Sequence, residues 1–207
     1  MFFYHCIAKA FQIIFRMTCS FKVSGRENLP LFGGYIIVSN HASYIDPPVI
    51  AATIPRPIIF FARSTLFRNT LFAFLIRKLN AIPVKRGKGD REAMRNITDV
   101  AKDGGIVLIF PEGSRSDDGH LGSINPSFGL IPLKANVPIV PIYIRGSFQV
   151  WSRYQKYPRF SPLHVRIGEP IHVRDIVNRN TKVGDQARAI SKETREALER
   201  LERETPC

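Results

Sequence analysis

Four short apolar runs rich in β-branched residues constrain this chain more than any other feature: YIIVS at 35–39, GIVLIF at 105–110, VPIVPIYI at 137–144 and, more weakly, LHVRIGEPI at 163–171. They are continuous rather than alternating, which is the pattern of strands buried on both faces. Helical stretches separate them. DREAMRNITDVAKDGG at 90–105 opens on an acid-rich turn and stops at Gly104-Gly105, as helix ends do. The last segment sets Ala187, Ile190, Ala197, Leu198 and Leu201 on one helical face, which suits a covering helix. With 207 residues, no repeat and no Pro/Gly/Ser linker, the expectation is a single α/β domain, a mostly parallel sheet covered by helices.

Residues 1–20 form an appendage to that domain at 21–207. His5, Lys9, Gln12 and Arg16 recur at helical spacing in a narrow stripe, and Phe2, Phe3, Ile7, Phe11, Ile14 and Phe15 occupy the wide remainder. Lys9 and Arg16 break any run of about 20 apolar residues that could span a bilayer. A helix packed on the domain would show the same pattern, but the apolar arc is wide for one partner surface, and an N-terminal amphipathic helix lying at a membrane surface is the expectation.

The formal charge of +13 is unevenly placed. Residues 185–204 nearly balance, with five Lys/Arg against six Asp/Glu, whereas residues 56–95 carry ten Lys/Arg against Asp90 and Glu92. That block is either a solvated face or a surface for anionic partners. STLFRNTLFAFLIRKLN within it reads as an apolar helix edged with cations, and the phenylalanines of the block, Phe60 and Phe61 included, are assigned buried helical spacing. No nucleic-acid module signature accompanies them, so nucleic acid is not the expected partner. Cys6, Cys19 and Cys207 make no CxxC or Cys/His pattern, and no metal site is expected.

In open α/β sheets ligands bind where the chain leaves the carboxyl ends of strands. The exit from YIIVS is NHASYIDPP, with His41 and Asp46 five positions apart; the exit from GIVLIF is PEGSRSDDG. Asp46 either caps a helix beginning at Pro47, or reaches back to fix the tautomer of His41 so that the other ring nitrogen can take a proton from a hydroxyl. Glu112, Gly113 and Arg115 offer close backbone approach and a guanidinium for phosphate oxygens, or a simple surface ion pair. AIPVKRGKGD at 81–90 places Lys85, Arg86 and Lys88 among glycines ahead of a helix, a setting suited to phosphate or to solvent. No GxSxG elbow or other covalent nucleophile stands out. The chemistry these residues allow is direct: a hydroxyl deprotonated by His41 attacks an acyl carbon already activated as a thioester.

Four stretches in order, NHASYID, AIPVKRG, FPEGSRS and VPIVPIYI, resemble the ordered blocks of the glycerolipid acyltransferases, the 1-acylglycerol-3-phosphate acyltransferases and their relatives. The resemblance covers about Phe21 to Ile171. It implies a glycerol-3-phosphate acyltransferase-like fold with His41 and Asp46 catalytic. Lys85, Arg86, Glu112, Gly113 and Arg115 would then lie in the acceptor phosphate region. It further implies transfer of an acyl chain from acyl-CoA or acyl carrier protein to 1-acylglycerol 3-phosphate, giving phosphatidic acid in phospholipid biosynthesis. No metal or bound organic cofactor would be needed. Another lysolipid or glycerol 3-phosphate as acceptor, or a non-catalytic lipid-binding relative, are the alternatives. The expected setting is an anionic membrane surface on its cytoplasmic face, with peripheral or monotopic attachment. One departure stands out: SINPSFGLIPLK replaces the family's usual Phe-Lys-x-Gly stretch, and Pro132 is expected to interrupt the helix that follows.

Overall fold

The computed structural model describes residues 2–84, 90–178 and 180–206. Among these described residues seven strands form one sheet: β1 (Lys22–Ser24), β2 (Tyr35–Ser39), β3 (Ile58–Arg63), β4 (Ala81–Val84), β5 (Ile106–Ile109), β6 (Ile139–Arg145) and β7 (His164–Ile167). Their spatial order is β1-β7-β6-β2-β5-β3-β4. Every neighbouring pair is parallel except β6 with β7. The continuous apolar runs are explained by burial on both sides. Tyr35 and Ile37 of β2 enter one core and Ile36 and Val38 the other, and all four are essentially inaccessible.

Among the described residues eight helices surround the sheet: α1 (Phe2–Thr18), α2 (Asp46–Thr53), α3 (Thr70–Lys78), α4 (Asp90–Lys102), α5 (Leu130–Ala135), α6 (Ser147–Trp151), α7 (Val173–Ile176) and α8 (Val183–Glu204). Residues of α1 and α2 help build one core; residues of α4, α5 and α8 build the other. Helix α8 buries Ala187, Ile190, Ala197, Leu198 and Leu201, the face its periodicity marks out.

Two local expectations need correction. Phe60 and Phe61 lie in a strand, not at helical spacing. IIFFAR sends Ile58 and Phe60 to one core and Phe61 to the other, which is strand periodicity. Pro132 does not interrupt a helix. It falls in the first turn of α5, where a missing N–H leaves no intrahelical bond broken, and a 3₁₀ turn at Pro126–Gly129 leads into it. Asp46, which the sequence left open between cap and orienter, turns back toward His41, as described below.

Helix α1 is less detached than an appendage. Tyr4 and Phe15 are buried, the Tyr4 hydroxyl accepts the Ile58 N–H at 3.2 Å, and Gln12 of the polar stripe donates to the Ala52 carbonyl of α2 at 3.3 Å. On the opposite side Phe2, Phe3, Ile13, Ile14 and Met17 are exposed. Helix α2 has no polar side of its own: Val49, Ile50, Ala51, Ala52 and Thr53 are all buried, and α1 packs against it. Among the described residues no helix is long and apolar enough to cross a membrane.

Candidate active site

The strand order sets the site. β2 lies between β5 and β6, all three parallel, so their carboxyl ends open side by side. At the end of β2 the buried side chain of Asn40 extends the ladder by one step. Its Nδ2 donates to the Ile144 carbonyl at 2.9 Å and its Oδ1 accepts the Ile144 N–H at 2.8 Å. That clamp fixes where the next residue, His41, begins.

Asp46 is fully buried and its Oδ2 gathers three donors: His41 Nδ1 at 2.8 Å, Ala42 N–H at 2.8 Å and Ser43 N–H at 2.7 Å. The carboxylate therefore closes the turn behind it rather than capping α2 ahead of it. Its position in the first turn of α2 adds the favourable end of the helix dipole. A carboxylate accepts only, so the Nδ1 of His41 carries the proton and Nε2 keeps its lone pair. The imidazole also stacks on Phe110, with ring centroids 4.0 Å apart and planes 16° from parallel. Two independent contacts thus fix the ring, which remains about one-fifth exposed at 20%.

The exit from β5 closes over this turn. Glu112 Oε1 accepts the His41 N–H at 2.8 Å and Oε2 accepts the Gly122 N–H at 2.9 Å, while the His41 carbonyl accepts the Ser116 N–H at 2.7 Å. Both backbone groups of His41 are thereby held by the 110–116 loop. Burial pushes the Glu112 carboxyl above its ordinary range, partly offset by the two amide donors. Two glycines permit this packing. Gly113 takes a left-handed φ of +74°, and a Cβ on Gly122 would stand 2.6 Å from Glu112 Oε2.

Arg115 lies with its guanidinium 3.6 Å over the Tyr44 ring, and Tyr44 in turn packs on Trp151 at 5.4 Å between centroids. The Arg115 carbonyl accepts from Arg153, whose guanidinium also pairs with Asp117 at 2.8 Å. Arg115 Nη1 is buried and has no hydrogen-bond partner among the described residues. The surface pair between Glu112 and Arg115 that the sequence allowed is not among the ion pairs of the described residues: Glu112 turns to backbone amides and Arg115 to an aromatic ring.

So the structure brings His41, Asp46, Glu112, Gly113 and Arg115 to adjacent strand exits; Lys85 and Arg86 lie outside the described residues. The Acyltransferase family model matches residues 20–145, a span containing the whole arrangement. The chain belongs to the Acyltransferase family. That membership makes it an O-acyltransferase.

Among proteins similar to this acyltransferase is the 1-acyl-sn-glycerol-3-phosphate acyltransferase of Bacillus subtilis strain 168, 28% identical over 86% of this chain and 87% of that protein. A protein of the same name from Streptococcus pneumoniae is 29% identical over 83% of this chain and 61% of its own length. The chain spans about half of the chloroplastic LPAT1 of Arabidopsis thaliana, at 27% identity and 49% of that protein. In structure the acyltransferase is similar to the 1-acyl-sn-glycerophosphate (LPA) acyltransferase PlsC of Thermotoga maritima. The TM-score is 0.80 at 25% identity, over 97% of this chain and 79% of the other.

Some parts of the site escaped sequence reasoning. Asn40, Tyr44 and Phe110 are ordinary residues by type, and their partners Ile144, Arg115 and His41 lie far along the chain. The signal available was position alone: each adjoins a strand exit.

Proposed function

We propose that this acyltransferase esterifies the free hydroxyl of 1-acylglycerol 3-phosphate with an acyl chain drawn from acyl-CoA or acyl carrier protein, releasing phosphatidic acid. One observation carries the reading: the His41–Asp46 pair leaves Nε2 as a fixed base on the same turn whose Tyr44 ring carries the guanidinium of Arg115, and the buried Nη1 of Arg115 has no partner among the described residues. His41 Nε2 takes the acceptor's hydroxyl proton while the oxygen attacks the thioester carbonyl. As the carbon–sulfur bond breaks, the imidazolium returns that proton to the departing thiolate, so the base is regenerated. Asp46 holds the tautomer and stabilises the transient imidazolium. Arg115 takes the acceptor phosphate, and we assign Lys85 and Arg86 to the same region on the strength of the sequence resemblance.

We assign Glu112 a positioning role. With both oxygens accepting backbone amides, its contribution is to hold His41 and the 110–122 loop in place. Gly113 lets that loop turn.

The lipid acceptor makes peripheral membrane attachment, on the cytoplasmic face, part of the same proposal. Residues 1–20 would supply a membrane-associating helix through the exposed arc of Phe2, Phe3, Ile13, Ile14 and Met17. Leu71, Phe74 and Leu75 on α3 are also exposed, and Lys78 lies over the Phe74 ring.

The test is to incubate purified protein with oleoyl-CoA and lysophosphatidic acid, following CoA release and phosphatidic acid by mass, beside a folded His41→Ala variant. Phosphatidic acid from wild type alone is the expected result. CoA release without that product would reassign the acceptor, and equal activity of the variant would overturn the mechanism.

A further inference from the structure

The segment 152–162, SRYQKYPRFSP, joins α6 to β7 and plays no part in the chemistry above. It holds Arg153, Lys156 and Arg159 and no acid, interleaved with Tyr154, Tyr157 and Phe160. Those rings are 67%, 68% and 83% exposed. The loop is nonetheless well fastened. Trp151 Nε1 donates to the Gln155 carbonyl at 3.2 Å, the Arg159 N–H donates to Val150 at 2.8 Å, and the Leu163 N–H donates to Cys19 at 2.8 Å. A fastened loop that turns its aromatic rings outward presents a surface, not a loose strand.

Its base is also the catalytic turn. The Trp151 carbonyl accepts both the Tyr44 N–H at 3.2 Å and the Ser43 hydroxyl at 2.6 Å. Ser43 and Tyr44 lie between His41 and Asp46. At its other end the bond to Cys19 joins the loop to the end of α1, near the exposed Met17.

We infer that residues 152–162 dock on an anionic bilayer and hold the catalytic turn at headgroup depth, where a lysolipid presents its hydroxyl. This rests on the lipid-acceptor reading above. Arg153 is paired with Asp117, and the remaining cations, Lys156 and Arg159, with no acid in the segment, call for an anionic partner. Tyrosines suit the interface between headgroups and acyl chains, and Phe160, with no polar handle, favours the apolar side of it. Continuity with the apolar arc of α1 selects a flat, extended partner over a compact acidic protein.

The test uses a single-tryptophan reporter, because Trp151 is the chain's only tryptophan. In a Trp151→Phe background, tryptophan is placed at Phe160 or, as a control, at Val183 on α8. Each folded variant is mixed with phosphatidylcholine vesicles containing phosphatidylglycerol with brominated acyl chains. Quenching at position 160 and not at 183 is expected. A Tyr157→Ser/Phe160→Ser variant should bind these vesicles about tenfold or more weakly. It should also lose turnover on long-chain lysophosphatidic acid in vesicles while keeping it on a short-chain acceptor dissolved as monomer.

Absence of quenching at position 160 in vesicle-bound protein overturns the inference, as does failure of the wild type to bind vesicles. Loss of activity confined to the carrier-protein donor, without quenching, would make the loop a protein-docking surface and also overturn it. The quenching needs no turnover. If wild type makes no phosphatidic acid from either acceptor, the reaction assignment fails and quenching alone still decides the loop.

Discussion

Replacing Asp46 separates its two duties. One oxygen serves His41 Nδ1 and two buried backbone amides, at 2.7 to 2.8 Å. In Asp46→Asn the amide oxygen can still accept from Ala42 and Ser43, so the turn persists. What is lost is the charge opposite the imidazolium. Hydrogen bonds to charged groups contribute about 1.5–3 kcal/mol, or about 10- to 150-fold in rate. If the amide instead aims its NH2 group at Nδ1, the tautomer inverts and the loss approaches the roughly 10⁴-fold measured for the equivalent change in a serine-protease triad. We therefore expect kcat to fall between about tenfold and 10⁴-fold, with KM for the acceptor nearly unchanged. Asp46→Ala adds a stability defect. Two buried amides lose their acceptor at about 1–3 kcal/mol each, which lowers the melting temperature by roughly 4 °C or more for a chain of this size. Steady-state kinetics on vesicle-borne acceptor and calorimetry of both variants check this. An Asp46→Asn enzyme with kcat within about threefold of wild type, or a defect only in KM, would refute the orienting role.

Four further changes probe the surroundings. Tyr44→Leu removes the ring beneath Arg115, a contact of about 0.5–2 kcal/mol, so KM for a phosphate-bearing acceptor should rise about 2- to 30-fold while Tyr44→Phe behaves as wild type. Phe110→Leu frees one face of the His41 ring and should lower kcat about 2- to 12-fold, read by initial rates. Asn40→Ala leaves both the N–H and the carbonyl of Ile144 without their buried partners and should cost about 2 kcal/mol or more in chemical denaturation. Burial raises the Glu112 pKa in the folded protein, so the fold holds that proton more tightly than the unfolded chain does. Its contribution to stability is complete below the unfolded value, about 4.3, and is lost as pH rises through the higher folded value. Melting temperatures across that range should show wild type losing ground to Glu112→Gln as pH rises.

How far the sequence reaches depends on the range of the contact. β2, β5 and β6 were legible because each is a continuous apolar run buried on both faces, and the ligand rule for parallel sheets then pointed to His41, Asp46, Glu112 and Arg115. Helices α4 and α8 were legible from periodicity. β1, with three residues at an edge, offers too little pattern to read. β3 was misread because Phe60 and Phe61 sit together and look helical, although they face opposite cores. Long-range polar geometry was beyond reach. Glu112 was legible as a site residue but not as a clamp on His41, 71 positions away, and nothing local reveals that Asn40 answers Ile144, 104 positions on. Asp46 could be read as cap or orienter; only coordinates reveal that it turns back to close its own loop.

The apolar α2, covered by α1, decides how this enzyme can be handled at the bench. Trimming the amino terminus to obtain a better-behaved sample would uncover the apolar face of α2 on which α1 packs and remove Tyr4 and Phe15 from the interior. The shortened product would aggregate in an expression host instead of gaining solubility. Keeping the amino-terminal helix, which leaves α2 covered, is the workable route to a purified sample.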